Sequence, residues 1–178
     1  MNITDAKIAI LVDNNFEQAE FEVPLQQLKA AGAQVTVVGA STKDLQALQH
    51  TKQGDAFKAD ELLESIDPEE FDVLVLPGGV VNADKLRMNT DARAWATRFI
   101  DQNKIVAAIC HAPWLLVSAD IVEGRRLTSY YTLQDDVRNA GGEWIDQPVV
   151  VDSHLITSRK PDDLDDFIEA IQEGIEKI

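Results

Sequence analysis

One cysteine and three histidines occur in the chain, and two of these four residues are neighbours: Cys110 and His111, in "VAAICHAPWLLV" (residues 106–117). A thiol beside an imidazole is the minimum equipment for nucleophilic catalysis, because the imidazole can take the proton that the sulfur must lose. The apolar run before Cys110 reads as a buried strand, and Pro113 suits the first turn of a helix. Cys110 therefore sits at a strand-turn-helix corner. Such a corner strains the backbone at the nucleophile and needs small residues two before and two after it, which Ala108 and Ala112 supply. The free N–H groups and positive end of a following helix favour thiolate, so an acidic Cys110 is expected. A lone cysteine is more often inert packing. Packing explains the apolar run, but not why His111 and Pro113 follow without a loop, so the reactive reading is preferred.

Two further stretches carry polar groups that could serve this thiol. "PGG" at residues 77–79 closes an apolar run, and Gly78 and Gly79 are candidates for the backbone that holds an oxyanion, with the N–H of Gly79 acting beside that of His111. A plain turn is the simpler account of the same residues. Glu17 and Glu20 follow the first apolar run. Both suit the first turn of a helix, where carboxylates are favoured, and either could instead face the sulfur. The acidic run at Asp162, Asp163, Asp165 and Asp166 reads as the start and wet face of a last helix. No His, Cys and Asp spacing fits zinc, so no metal is expected. No glycine-rich phosphate loop follows a strand, which disfavours a nucleotide cofactor; no cofactor is expected.

These residues need a scaffold that brings three segment ends together. Strands are expected at residues 7–12, 34–39, 71–76 and 105–110, each short, apolar and rich in branched residues. Helical patterns lie between them. The first puts Phe21, Leu25 and Leu28 on one face, with Pro24 in its first turn and Gly32 at its end; another turns Ala92, Trp95, Ala96 and Phe99 inward. The last carries Leu164, Phe167, Ile168, Ile171 and Ile175 as a stripe. Residues 40–60 read as a loop or small hairpin before a short helix near 61–66, and residues 143–159 as paired short strands. Alternating strands and helices imply a mostly parallel sheet covered on both faces. Ligands of such sheets lie beyond the carboxyl ends of the strands, where "DNNFEQAE", "PGGVVNAD" and "CHAP" all fall.

The length of 178 residues suits one domain, 1–178. With 16 Lys and Arg against 31 Asp and Glu, the formal charge is -15, which argues against nucleic acid and anionic membranes as partners. A single Cys precludes an internal disulfide, and the N-terminal apolar run is too short for a secretory signal. No stretch reaches the roughly 18 apolar residues of a membrane helix. A cytoplasmic protein is expected.

"AAICHAPWLL", with "LPGG" before it and "LTSYYTLQDDVRNAGGEWID" after it, resembles the PfpI family of intracellular cysteine proteases, general stress proteins and deglycase relatives. The resemblance implies the class I glutamine amidotransferase-like fold, a flavodoxin-like three-layer α/β/α sandwich. It implies Cys110 as nucleophile, His111 as its partner, Glu20 as the carboxyl bonded to the thiol, and Tyr130 near the pocket. It also implies that Asp84 orients the histidine of a neighbouring subunit, so that the chain forms at least a dimer with shared sites. Two departures stand out: Ala112 replaces the usual glycine, and Asp84 is one methylene shorter than the glutamate of archaeal proteases. The implied activity is that of a cysteine-dependent hydrolase acting on activated carbonyls, in glyoxals, their protein adducts or peptides. A redox sensor or holdase whose Cys110 is oxidised to sulfinate is the alternative; with no second cysteine, a disulfide within one chain is not open to it.

Overall fold

A computed structural model describes residues 1–178 of the chain. Its strands are β1 (Lys7–Val12), β2 (Phe16–Glu17), β3 (Gln34–Gly39), β4 (Asp44–Gln49), β5 (Lys52–Lys58), β6 (Glu61–Leu62), β7 (Val73–Leu76), β8 (Ile105–Ile109), β9 (Arg126–Leu127), β10 (Glu143–Trp144), β11 (Val149–Asp152) and β12 (Leu155–Ser158). Its α-helices are α1 (Gln18–Ala30), α2 (Val80–Met88), α3 (Thr90–Asp101), α4 (Pro113–Ser118), α5 (Gln134–Asn139) and α6 (Leu164–Glu176). Seven strands form the main sheet in the order β11-β12-β8-β7-β1-β3-β6. All its pairings are parallel except that of the edge strand β11 with β12.

The central strands are buried on both faces, which is why they read as unbroken apolar runs rather than as alternating ones. Ile8, Ile10 and Val12 of β1 join Phe21, Leu28, Phe167 and Ile171 in one core layer, between the sheet and helices α1 and α6. Ala9 and Leu11 point the other way, into a second layer with Leu86, Trp95, Phe99 and Leu115 from α2, α3 and α4. Helices on both faces give the expected three-layer α/β/α sandwich. The inward positions expected of α3 and α6 are buried as expected.

Two local expectations are corrected. Residues 61–66 form no α-helix: Glu61–Leu62 pair with β3, and a single 3-10 turn, Leu63–Ser65, follows. Pro24 lies inside α1 rather than in its first turn, because the helix already begins at Gln18. A proline has no N–H to give to the carbonyl four residues back, and here that carbonyl belongs to Glu20. Residues 40–60 hold the expected hairpin, β4 with β5, and β2 pairs with β4 at its side.

The chain order creates the site. From β1 the sheet grows one way to β3 and β6, and the other way to β7, β8 and β12. The topological switch lies between β1 and β3 on one side and β7 on the other, so a crevice opens beyond their carboxyl ends.

Candidate active site

Cys110 occupies the turn between β8 and α4 with φ of 63°, a left-handed conformation that costs a non-glycine residue roughly 1–2 kcal/mol. The backbone around it is pinned. Its N–H donates to Ser158 O at 3.0 Å, and its carbonyl accepts from Tyr130 N–H at 2.8 Å. Ala108 and Ala112 are fully buried on either side, as a tight corner requires. The side chain is thereby held at the base of a crevice of about 850 Å³ whose walls include Glu17, Glu20, Gly79, His111 and Tyr130.

The PGG turn forms the facing wall. Asn82, fully buried, donates to the carbonyls of Pro77 and Gly78 at 2.9 Å each, and its own oxygen accepts from Asp13 N–H at 2.7 Å. Gly79 has φ of 88°, and a Cβ there would lie 2.6 Å from Glu17 N. A Cβ on Gly78 would meet Glu20 Oε2 at 2.4 Å and Cys110 Cβ at 2.7 Å. Only glycine allows this close an approach of turn, carboxyl and thiol.

The structure brings Glu20, and not Glu17, to the sulfur. Glu20 is fully buried; its Oε2 accepts from Gly78 N–H at 2.9 Å, its Oε1 is buried without a partner, and the carboxyl as a whole adjoins the Cys110 thiol. Glu17 turns instead to the β4–β5 hairpin, where its Oε2 accepts from His50 N–H at 3.0 Å. Burial pushes the Glu20 carboxyl up to about 8, with the nearby Glu17 charge adding to the rise and the Gly78 N–H opposing it. Near neutral pH Glu20 is therefore an acid with a proton to donate. This use of Gly78 corrects one expectation: its N–H is committed to Glu20 and is not free to hold an oxyanion. Gly79 N–H and His111 N–H are free to do so, since both face the Cys110 sulfur.

The expectation of an acidic thiol is also corrected. Cys110 is 7% exposed, and burial pushes its thiol well above the ordinary range, further when Glu20 is charged. The N–H groups of Gly79 and His111 pull the other way but are outweighed. The helix that was to favour thiolate is only the six residues of α4, so its dipole is small.

His111 Nδ1 lies 3.1 Å from Cys110 Sγ. Burial keeps the imidazole below its ordinary pKa, hence neutral at pH 7 and able to accept a proton. Its ring is stacked on Tyr130 at 4.7 Å between centroids and meets the edge of Trp114 at 5.5 Å. Tyr130 also lines the crevice. Asp84 is exposed on α2 and does not line its own crevice. Several further residues touch the site without a motif to mark them. His50 and Lys160 enter the crevice wall from the hairpin and from the segment before α6, and Thr132 Oγ1 lies 3.4 Å from His111 Nε2. No group of three His, Cys, Asp or Glu side chains is placed to hold a metal ion.

Residues 6–174, nearly the whole chain, match the DJ-1/PfpI family. The chain belongs to the DJ-1/PfpI family. Among its DJ-1/PfpI relatives is Deglycase PfpI of Pyrococcus furiosus, 40% identical over 158 residues that cover 89% of this chain and 92% of that protein. Protein/nucleic acid deglycase 2 of Escherichia coli is 41% identical over 163 residues, covering 90% and 92% respectively. The crystal structure of a ThiJ/PfpI domain protein from Brachyspira murdochii superposes with a TM-score of 0.89 over 98% of both chains at 23% identity, a likeness of fold. No helix of this DJ-1/PfpI chain is long and apolar enough to cross a membrane.

Proposed function

We propose that the protein is a cysteine-dependent enzyme of the deglycase and peptidase type that attacks activated carbonyls through Cys110. One observation carries the reading: the Cys110 sulfur lies 3.1 Å from an imidazole nitrogen and is faced at once by two backbone N–H groups and the buried Glu20 carboxyl. In this reading the S–H proton passes to His111 Nδ1 as the sulfur bonds to the carbonyl carbon. The π electrons of the C=O bond move to oxygen, where the N–H groups of Gly79 and His111 hold the developing charge. The protonated Glu20 carboxyl, which adjoins the thiol, then supplies a proton to that oxygen. The product is a neutral thiohemiacetal, with Glu20 charged and His111 holding the thiol proton. The proton on His111 then passes back to Glu20. With methylglyoxal, transfer of the carbinol C–H proton to the neighbouring carbonyl carbon turns the adduct into a lactoyl thioester, whose acyl–sulfur bond water breaks. The acyl group leaves as lactic acid, the sulfur regains a proton, and the net reaction is methylglyoxal plus water giving lactic acid.

The deglycase names of the relatives support this choice of chemistry over a redox sensor or holdase. So does the thiol itself, which is held in its less oxidisable protonated form. A formal charge of -15 favours small carbonyls and protein adducts over nucleic-acid polymers as substrates. Asp84 fits a site completed across a subunit contact, since it is exposed and lies outside its own crevice. The working unit is then at least a dimer.

Turnover of methylglyoxal and of a methylglyoxal-treated peptide by the purified protein tests the reading. Both activities are expected, and both vanish in Cys110→Ala. A wild-type protein that is inert toward these and toward unmodified peptides, while its thiol still reacts with alkylating agents, would overturn it.

A further inference from the structure

Each ring nitrogen of His111 has a neighbour of its own. Nδ1 lies 3.1 Å from Cys110 Sγ, and Nε2 lies 3.4 Å from Thr132 Oγ1. Thr132 belongs to the 3-10 turn Tyr131–Leu133, directly after the Tyr130 ring that stacks on the imidazole. One short segment therefore sets both the plane of the ring and the contact at its far end. That segment is anchored to the corner it serves, because Tyr130 N–H donates to the carbonyl of Cys110 itself.

We propose that Thr132 is a positioning residue whose hydroxyl accepts the Nε2–H of His111 and so keeps the lone pair on Nδ1, facing the thiol. The argument rests on reading Cys110 and His111 as the reacting pair. A neutral imidazole carries a single ring proton, and only the nitrogen without it can receive the proton of the sulfur. With its proton on Nδ1 the ring could only donate to the sulfur, and it would have no lone pair there to take the S–H proton. Nε2 needs an acceptor to hold the proton there, and the Thr132 hydroxyl is the side-chain group within reach of it. A threonine differs here from the carboxylate that usually orients a catalytic histidine. It carries no charge, so it fixes the tautomer without making the imidazole much more basic. That agrees with a His111 that burial keeps neutral.

A hydroxyl that accepts from Nε2–H still has its own proton to place. Thr132 is solvent-exposed, so that proton can go to water or to a carboxylate arriving from outside the chain. Thr132 and Asp84 of a neighbouring copy are thus compatible. The partner's acid would act on the imidazole through the hydroxyl, and the chain alone would retain an oriented, slower base.

The experiment compares Thr132→Val, which keeps the shape and removes the hydroxyl, with Thr132→Ser, which restores it. The tautomer of His111 is read from long-range ¹H–¹⁵N correlations of the labelled protein near pH 7, with only three histidines to assign. The wild type should show the proton on Nε2, Thr132→Val a mixture of tautomers, and Thr132→Ser the wild-type pattern. In methylglyoxal turnover, Thr132→Val should lose about fivefold to tenfold in kcat, the worth of one neutral hydrogen bond, with little change in KM. Thr132→Ser should recover most of that loss. A wild-type proton on Nδ1, an unchanged tautomer and rate in Thr132→Val, or a Thr132→Ser variant as impaired as Thr132→Val would each overturn the proposal. Should the wild type turn over no carbonyl, the proposed activity falls, while the tautomer spectra still decide the role of Thr132.

Discussion

Replacing Glu20 by glutamine changes one proton and almost no volume, and the effect on stability follows from the site. Glu20 is fully buried, and burial raises its carboxyl from 4.5 to about 8. Between those values the unfolded chain has lost this proton and the folded chain keeps it. The folded state binds more protons there, so its stability falls as pH rises from about 4.5 to about 8 and levels off above. At 1.36 kcal/mol for each tenfold change in proton affinity, the fall reaches about 5 kcal/mol, an upper figure for a site that can relax. Glutamine does not titrate. Its amide oxygen can accept from Gly78 N–H as Oε2 does, and its NH₂ can face the sulfur. Urea unfolding of both proteins at several values between about pH 5 and pH 9 is the assay. Glu20→Gln should gain on the wild type as pH rises, by about 3–5 kcal/mol in total. Two curves that stay parallel across this range would refute the claim that Glu20 is an uncharged acid in the folded protein.

Alkylation of Cys110 by iodoacetamide should show a midpoint above the roughly 8.5 of a free thiol, and Glu20→Gln should lower it by removing the carboxylate charge; a wild-type midpoint below that of a free thiol would contradict the burial argument. Gly78→Ala should cost about 1–3 kcal/mol in thermal or urea unfolding and remove carbonyl turnover, because its Cβ would strike Glu20 Oε2 and Cys110 Cβ; an active variant of wild-type stability would count against the close approach. Asp84→Ala should slow turnover yet leave Cys110 open to alkylation. Subunits of Asp84→Ala mixed with Cys110→Ala should regain activity, and confirmed subunit exchange without recovery would make Asp84 a surface carboxylate only.

The parts of this fold that were legible in the sequence are those governed by local pattern. Residues 105–109 could hardly be anything but a buried strand, and the spacing of Leu164, Phe167, Ile168, Ile171 and Ile175 can bury a single face only as a helix. Cys110 is conspicuous because the strand pattern runs almost directly into the helix pattern there, with only the turn of residues 110–112 between them. What the sequence hid depends on distance across the fold. The Gly78 N–H is taken by a carboxyl 58 residues away, which the PGG motif does not reveal. Residues 61–66 look helical in isolation, yet the open edge of β3 takes Glu61 and Leu62 as a short strand and leaves only a single 3-10 turn behind them. The sign of the thiol's shift depends on burial, which is a property of the packed corner rather than of the motif. Thr132 was passed over because nothing in "SYYTLQ" says that a hydroxyl will face an imidazole 21 residues earlier.

The raised affinity of Cys110 for its proton has a consequence for chemoselectivity. Peroxides and disulfides react with thiolates, so a resting thiol is a poor target for them. An aldehyde needs no standing anion: its carbonyl becomes electrophilic as the Gly79 and His111 N–H groups engage its oxygen, and the proton can leave sulfur for Nδ1 as the new bond forms. Reactivity is then conditional on the substrate rather than permanent. A chain with no second thiol to rescue an oxidised first one is thereby shielded during idle time, and its single sulfur is exposed to chemistry chiefly when a carbonyl is already in place.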